Sequence, residues 1–174
     1  CTSGAAGSIG TELCKQVINY RPKSLIMIDS SETNLYNLEE EISQIQNLNC
    51  EVKLFYFLGN VKDFSFLRDI FLHRKIDIVY HAAAYKHVPI IEKNPLSGID
   101  NNVFSTLSIC QAAVATQVKK IILISSDKAV RPKNIMGASK RLSELIFQAF
   151  TDKFNYKDTN SPYENTPKFS IVRF

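Results

Sequence analysis

The chain has 174 residues, 45% of them hydrophobic and 22% charged, with a formal net charge of +4. That length supports one domain with its own core, and the scattered Lys and Arg residues build no basic face of the kind nucleic acid demands. No apolar run approaches the ~20 residues that cross a bilayer, no secretory signal is visible, and no two of the four cysteines have the two-residue spacing of a zinc or redox motif.

In chain order, a glycine-rich turn at Gly4–Gly10 opens a helix with the stripe Ile9, Leu13 and Val17. Ser24–Ile28 reads as a buried strand, and Leu35, Leu38, Ile42 and Ile45 mark the next helix. Val52–Leu58 is a second strand, and Asp63 caps a short helix carrying Leu67 and Ile70. Ile76–Tyr80 is a third strand. Asn94 before Pro95 starts a helix that should bury Leu96, Ile99, Val103, Leu107, Cys110 and Val114. Ile121–Ile124 is a fourth strand, followed by a helix with Leu142, Leu145, Ile146 and Ala149, and Phe169–Phe174 is a fifth. The polar stretch 151–167 reads as a surface loop. Cys14 and Cys110 fall on apolar helix faces as buried, reduced thiols, which suits a cytosolic compartment.

Strands alternating with helices imply an α/β doubly wound parallel sheet of the Rossmann type, here one domain over 1–174. Only Cys1–Ser3 precede the glycine turn and the chain stops at a strand. The expectation is a domain cut at both ends, its first strand mostly missing and its substrate-binding segment lying beyond Phe174, so that this piece alone has little activity.

Gly4-Ala5-Ala6-Gly7-Ser8-Ile9-Gly10 lets backbone approach a pyrophosphate, and the helix it opens offers unpaired N–H groups to the anion. Asp29 stands 19 residues past Gly10, where a carboxylate grips adenosine ribose hydroxyls and repels a 2′-phosphate. That favours NAD over NADP. The competing readings are a turn used only for packing and a helix-capping Asp29. Asn60 and Val61 end a strand where an adenine edge would lie, although an Asn in a turn is nearly as good a reading. Ala82, Ala83 and Ala84 are small enough for a nicotinamide ribose to lie against their backbone. His81 reads as a hydrogen-bonded core histidine, His73 as an exposed helix end. Lys86 and His87, just past the strand, are candidate substrate contacts.

These motifs together resemble the CapD-type polysaccharide-biosynthesis dehydratases of the extended short-chain dehydrogenase/reductase superfamily. The resemblance rests on GAAGSIG at Gly4, HAAAYKHVP at His81, NNVFST at Asn101 and SSDKAVRPKNIMGASK at Ser125, and leaves 151–167 unaccounted for. It implies 4,6-dehydration of a UDP-N-acetylhexosamine, UDP-N-acetylglucosamine first, by a bound nicotinamide cofactor. It implies a homo-oligomer in the full-length protein, and a cytoplasmic location or the cytoplasmic part of a membrane-anchored parent.

Such enzymes pair a Ser or Thr with a Tyr and a Lys four residues apart, one helical turn on one face. Here Ser126 takes the hydroxyl position and Lys140 the lysine position, but Met136 stands where the Tyr should be, and a thioether carries no proton. Three readings stay open: a neighbouring group replaces the Tyr, the site binds without turnover, or Met136 is helix packing and the triad is misplaced. The resemblance gives Ser126 to the sugar 4-hydroxyl and Lys140 to the nicotinamide ribose. Elimination needs an acid and a base in addition. Asp127 is expected as the acid and Lys128 as the base, each with a shifted pKa, against the alternative of a surface ion pair. Asn102 is expected to orient the site or touch substrate, against simple helix packing. A sugar-nucleotide 4-epimerase and a non-catalytic nucleotide-binding domain are the rival functions.

Overall fold

Runs of Ile, Leu, Val and Phe that are apolar throughout, rather than alternating, belong to strands covered on both faces. The computed structural model describes residues 1–46, 51–155 and 167–174. Its strands are β1 (Thr2–Ser3), β2 (Ser24–Asp29), β3 (Lys53–Leu58), β4 (Ile78–His81), β5 (Lys120–Ser125) and β6 (Lys168–Arg173). All pair in parallel, in the order β3-β2-β1-β4-β5-β6. Every strand expected from the sequence is present, its bounds moved by at most two residues. This order reverses direction between β1 and β4, and ligands of such sheets bind in the crevice at that switch point.

The helices are α1 (Ser8–Asn19), α2 (Glu32–Gln46), α3 (Phe64–Arg74), α4 (Val88–Lys93), α5 (Pro95–Ile99), α6 (Ser105–Ala115) and α7 (Ile135–Asn155). A π-helical turn, Asp100–Phe104, joins α5 to α6, and a 3₁₀ turn, Asp127–Ala129, follows β5. Successive residues of β2 face opposite sides. Leu25 and Met27 pack with Cys14, Leu38 and Ile42, while Ile26 and Ile28 pack with Leu67, Phe71, Ile109 and Phe147. The sheet is thus the middle of three layers. Asp63 caps α3 as expected, accepting from Phe66 N at 3.0 Å. Asn94 sits at the N-cap of α5, but its side chain donates to Ile90 O instead of capping.

Three helix faces differ from the sequence reading. α1 buries Gly10, Cys14 and Ile18, and Ile9 is exposed. Along α5 to α6 Cys110 is buried as expected, but it shares the buried face with Gly98, Asn102, Ser105, Thr106 and Ile109, while Leu96 is exposed. In α7 Leu142 and Leu145 are exposed, and the buried positions after the first turn are Ser139, Lys140, Ser143, Glu144 and Phe147. The predicted loop over 151–167 begins as helix, since α7 runs to Asn155; residues 156–166 lie outside the described residues. Among the described residues, no helix is long and apolar enough to cross a membrane.

Candidate active site

The glycine turn is tight because three backbones meet there. Gly4 has φ +66°, a left-handed conformation that suits glycine, and a Cβ on it would lie 2.5 Å from Ala83 Cα. A Cβ on Gly10 would lie 2.0 Å from Gly4 O. Gly7 caps α1 without a side-chain bond, so the first-turn N–H groups of that helix face the crevice without intrahelical partners. Asp29 stands at the end of β2 and accepts from Ala6 N at one oxygen and Ser31 N at the other, both at 3.0 Å. It therefore braces the glycine turn and the entry to α2, with further acceptor capacity on each oxygen. Asn60 is an Asx turn, its Oδ1 accepting from Lys62 N at 3.0 Å, which leaves its amide N–H groups to donate.

Two neighbouring cavities line this crevice. One of about 270 Å³ runs between Gly4, Asp29, Asn60, Val61 and Ala82–Ala84. The other, about 510 Å³, lies between the start of α1 (Ser8, Ile9), Lys86, His87, Ile90 and Gly98. Gly7, Ala82, Ala84 and Tyr85 border both. Lys86 crosses to Ser8, donating from Nζ to Oγ at 3.0 Å, which sets a cation at the N-terminus of α1. Ile9, exposed in the helix register, is wall for this larger cavity.

His81 is buried at 1% exposure. Thr106 Oγ1 donates to Asn102 O at 2.7 Å, so it accepts from His81 Nε2 at 3.0 Å, and His81 Nδ1 accepts from Ser3 Oγ at 2.8 Å. Burial first, and the charge of Lys140 second, push its pKa down to about 3. It is a neutral core histidine, as the sequence indicates.

The side chain of Asn102 is turned to the backbone of Tyr85, accepting from its N at 2.7 Å and donating to its O at 3.0 Å, and it also donates to Ser139 Oγ at 2.9 Å. It orients the cavity loop against α7, and both ends of its amide are taken by protein partners. This is the geometry of the orienting role expected for Asn102.

Ser126, Asp127 and Lys128 form one hydrogen-bonded group at the end of β5. Ser126 Oγ donates to Asp127 Oδ1 at 2.9 Å, and Lys128 Nζ lies 3.3 Å from the same oxygen. Asp127 is exposed, and the Ser126 hydroxyl and then Lys128 hold its carboxyl below the usual range. This is the opposite of the upward shift expected of a resting general acid, and it has the form of the surface ion pair. Met136 is buried on the first turn of α7. Gly137 beside it packs on the turn, a Cβ there falling 2.3 Å from Lys128 O. Lys140, one helical turn on, is buried and donates to Ile124 O at 2.7 Å; burial pushes its pKa down to about 8. None of Ser126–Lys128, Met136 or Lys140 lines either cavity. Asn102 and Ser139 are the bridge between the two halves of the site.

Sequence reasoning missed Glu144 and Arg173. The Glu144 side chain is 1% exposed and accepts from Arg173 Nε at 2.6 Å and Nη2 at 2.7 Å, Ser125 Oγ at 2.7 Å and Arg141 Nη1 at 3.0 Å. Burial opposes its charge, but these donors outweigh burial and hold it at about 2. The Glu144–Arg173 pairing, 29 residues apart, leaves no local sequence signal.

A family described as polysaccharide biosynthesis protein matches residues 1–174. The chain is 35% identical over 150 residues to the capsular polysaccharide biosynthesis protein CapD of Staphylococcus aureus, covering 86% of this chain and 25% of that protein. It is 35% identical over 173 residues to a UDP-N-acetylglucosamine 4,6-dehydratase (inverting) of Campylobacter jejuni, covering 99% of this chain and 47% of the relative. Among solved structures, Pen from Bacillus thuringiensis superposes with a TM-score of 0.83 at 30% identity, over 99% of this chain and 49% of that one. The chain thus spans between a quarter and half of the proteins it matches.

Proposed function

The chain belongs to the polysaccharide biosynthesis protein family, and from that premise we propose that it carries the cofactor crevice and elimination turn of a nucleotide-sugar 4,6-dehydratase acting on a UDP-N-acetylhexosamine, UDP-N-acetylglucosamine first. One observation carries the reading: Ser126, Asp127 and Lys128 share a hydrogen-bonded cluster at the carboxyl end of β5, packed on the helix that holds Met136 and Lys140. A hydroxyl, a carboxyl and an amine are the groups that alcohol oxidation followed by β-elimination requires.

The lining of the crevice supports a dinucleotide as its occupant. Gly4 and Gly10 let backbone pack on backbone in a turn where a Cβ would clash, and Asp29 borders the smaller cavity. The first-turn N–H groups of α1, with Lys86 on Ser8, would hold the pyrophosphate. Asp29 and Asn60 would hold the adenosine end, and Ala82–Ala84 would bed the nicotinamide ribose. When bound, a nicotinamide dinucleotide supplies the hydride acceptor at sugar carbon 4 and the donor at carbon 6. The carboxylate of Asp29 would repel a 2′-phosphate, so NAD is the proposed form; tighter binding of NADP by the complete protein would overturn that choice.

Ser126 would bond the sugar 4-hydroxyl, and Lys140 would direct its charge at the nicotinamide ribose. Oxidation at carbon 4 releases the 4-hydroxyl proton to solvent, and the ketone it leaves acidifies the carbon-5 proton. In water the Lys128–Asp127 pair is ionic. When substrate excludes water, the neutral pair gains on the ion pair, because desolvation penalises both charges. Transfer of the shared proton from Lys128 to Asp127 then yields an amine base and a carboxylic acid. Lys128 Nζ takes the carbon-5 proton, Asp127 gives its proton to the departing 6-hydroxyl, and water leaves.

Heavy-water exchange at carbon 5 tests this in the complete protein with UDP-N-acetylglucosamine. Lys128→Met should abolish deuterium incorporation, and Asp127→Asn should slow water loss more than exchange, each by ~10²–10⁴ in rate. Normal dehydration in either variant removes that residue from its role. Inversion at carbon 4 without carbon-5 exchange would mark an epimerase instead.

A further inference from the structure

Glu144 closes a circuit around the proposed elimination turn. Ser125 donates to its carboxylate at 2.7 Å, and the chain runs from Ser125 through Ser126 to Asp127. Asp127 N donates to Phe174 O at 3.2 Å, and Phe174 follows Arg173, whose guanidinium returns to Glu144. The ends of β5 and β6 and the third turn of α7 are thereby joined at one buried carboxylate. A well-packed apolar residue usually serves stability as well as a buried ion pair does. What the circuit adds is direction, since the turn cannot shift without breaking a charge-assisted bond.

We propose that Glu144 is a positioning residue for the elimination turn: by holding Ser125 and Arg173 it fixes Ser126–Lys128, and with them the hydrogen bond from the Ser126 hydroxyl to Asp127. This rests on the reading of that turn as the site of elimination. Glu144 itself touches neither reacting atoms nor solvent. Its effect reaches the chemistry through the orientation of Ser126, whose hydroxyl is the first of the donors that stabilise the Asp127 carboxylate.

The sign of one titration separates positioning from plain electrostatics. Removing a negative charge at Glu144 favours the Asp127 carboxylate and lowers its pKa. Losing the Ser126 bond raises it. The experiment follows the Asp127 carboxyl by carbon-13 NMR across acid pH in the complete protein, as wild type, Glu144→Gln and Ser125→Ala, with thermal melts to establish that each is folded. The expected result is an upward shift of the Asp127 midpoint in both variants. Ser125→Ala keeps every charge, so it decides if the two disagree or if Glu144→Gln does not fold. A midpoint that stays or falls in folded Ser125→Ala overturns the proposal. Turnover plays no part in this readout, so failure of the dehydratase reading would appear in the exchange experiment and leave the titration standing.

Discussion

Lys140 reaches back from α7 to donate a 2.7 Å hydrogen bond from Nζ to the carbonyl oxygen of Ile124. Burial pushes its pKa from 10.5 down to about 8, with Glu144 pulling the other way. The unfolded chain keeps this proton to higher pH than the native one. The native state therefore gains stability as pH rises from about 8 toward 10.5, by on the order of 3 kcal/mol at most. The buried thiols of Cys14 and Cys110 and the Tyr56 phenol are pushed up and act in the opposite sense. The expected outcome is hence a difference: between pH 8 and 10, urea melts should show wild type gaining on Lys140→Met. Parallel pH responses would mean that the amine is not desolvated.

His81 gives the corresponding effect in acid. Its pKa falls from 6.5 to about 3 through burial and then Lys140, so the unfolded chain binds a proton that the native core refuses. Stability should fall as pH drops below 6.5. Glu144, held at about 2 against 4.5, adds its own loss only below about 4.5. Between those limits, His81→Gln should flatten the slope of denaturation midpoint against pH. An unchanged slope would place the proton acceptor elsewhere.

Gly10 and Gly7 should respond differently to the same substitution. A Cβ on Gly10 meets Gly4 O at 2.0 Å, whereas on Gly7 the nearest atom is the same oxygen at 3.4 Å. Gly10→Ala is expected to cost more than about 2 kcal/mol and to abolish cofactor binding, and Gly7→Ala about 0.5 kcal/mol or less. Thermal melts and cofactor titrations on both variants check this; equal stability losses would mean that the turn yields more readily than its geometry indicates.

Met136, buried on the first turn of α7, is expected to carry no proton. Met136→Leu roughly conserves volume and hydrophobicity, so dehydratase turnover of the complete protein should stay within about tenfold of wild type. A loss of 100-fold or more, about 2.7 kcal/mol of barrier, with the fold intact would give the thioether a role in the reaction.

The sheet was legible because β2 to β6 are runs rich in apolar residues, and the turns at the ends of β1, β2 and β3 because Gly4, Asp29 and Gly59 stand there; Asp63 and Gly10 sit where local chemistry needs them. The faces of α1 and α7 were not. A periodicity argument assigns the apolar side to the core, but α7 buries Ser139, Lys140, Ser143 and Glu144, each hydrogen-bonded, and leaves Leu142 and Leu145 outside. Polar residues that satisfy one another across elements carry no periodic signature. For the same reason Asn102 could be singled out from its motif but not given its partner, Tyr85, which depends on how a loop folds back over a helix.

The π-helical turn at Asp100–Phe104 has a consequence for phase. An α-helix advances about 100° per residue, and the wider turn absorbs one residue without that advance. The stripes before and after it are therefore two separate patterns on one rod. Gly98 can face Ile91 at the cavity wall while Ile109 and Ala113 face the sheet. Removing a single residue between Asp100 and Phe104 would bring the rod back to one phase, and either the wall or the core packing would then have to rotate out of place.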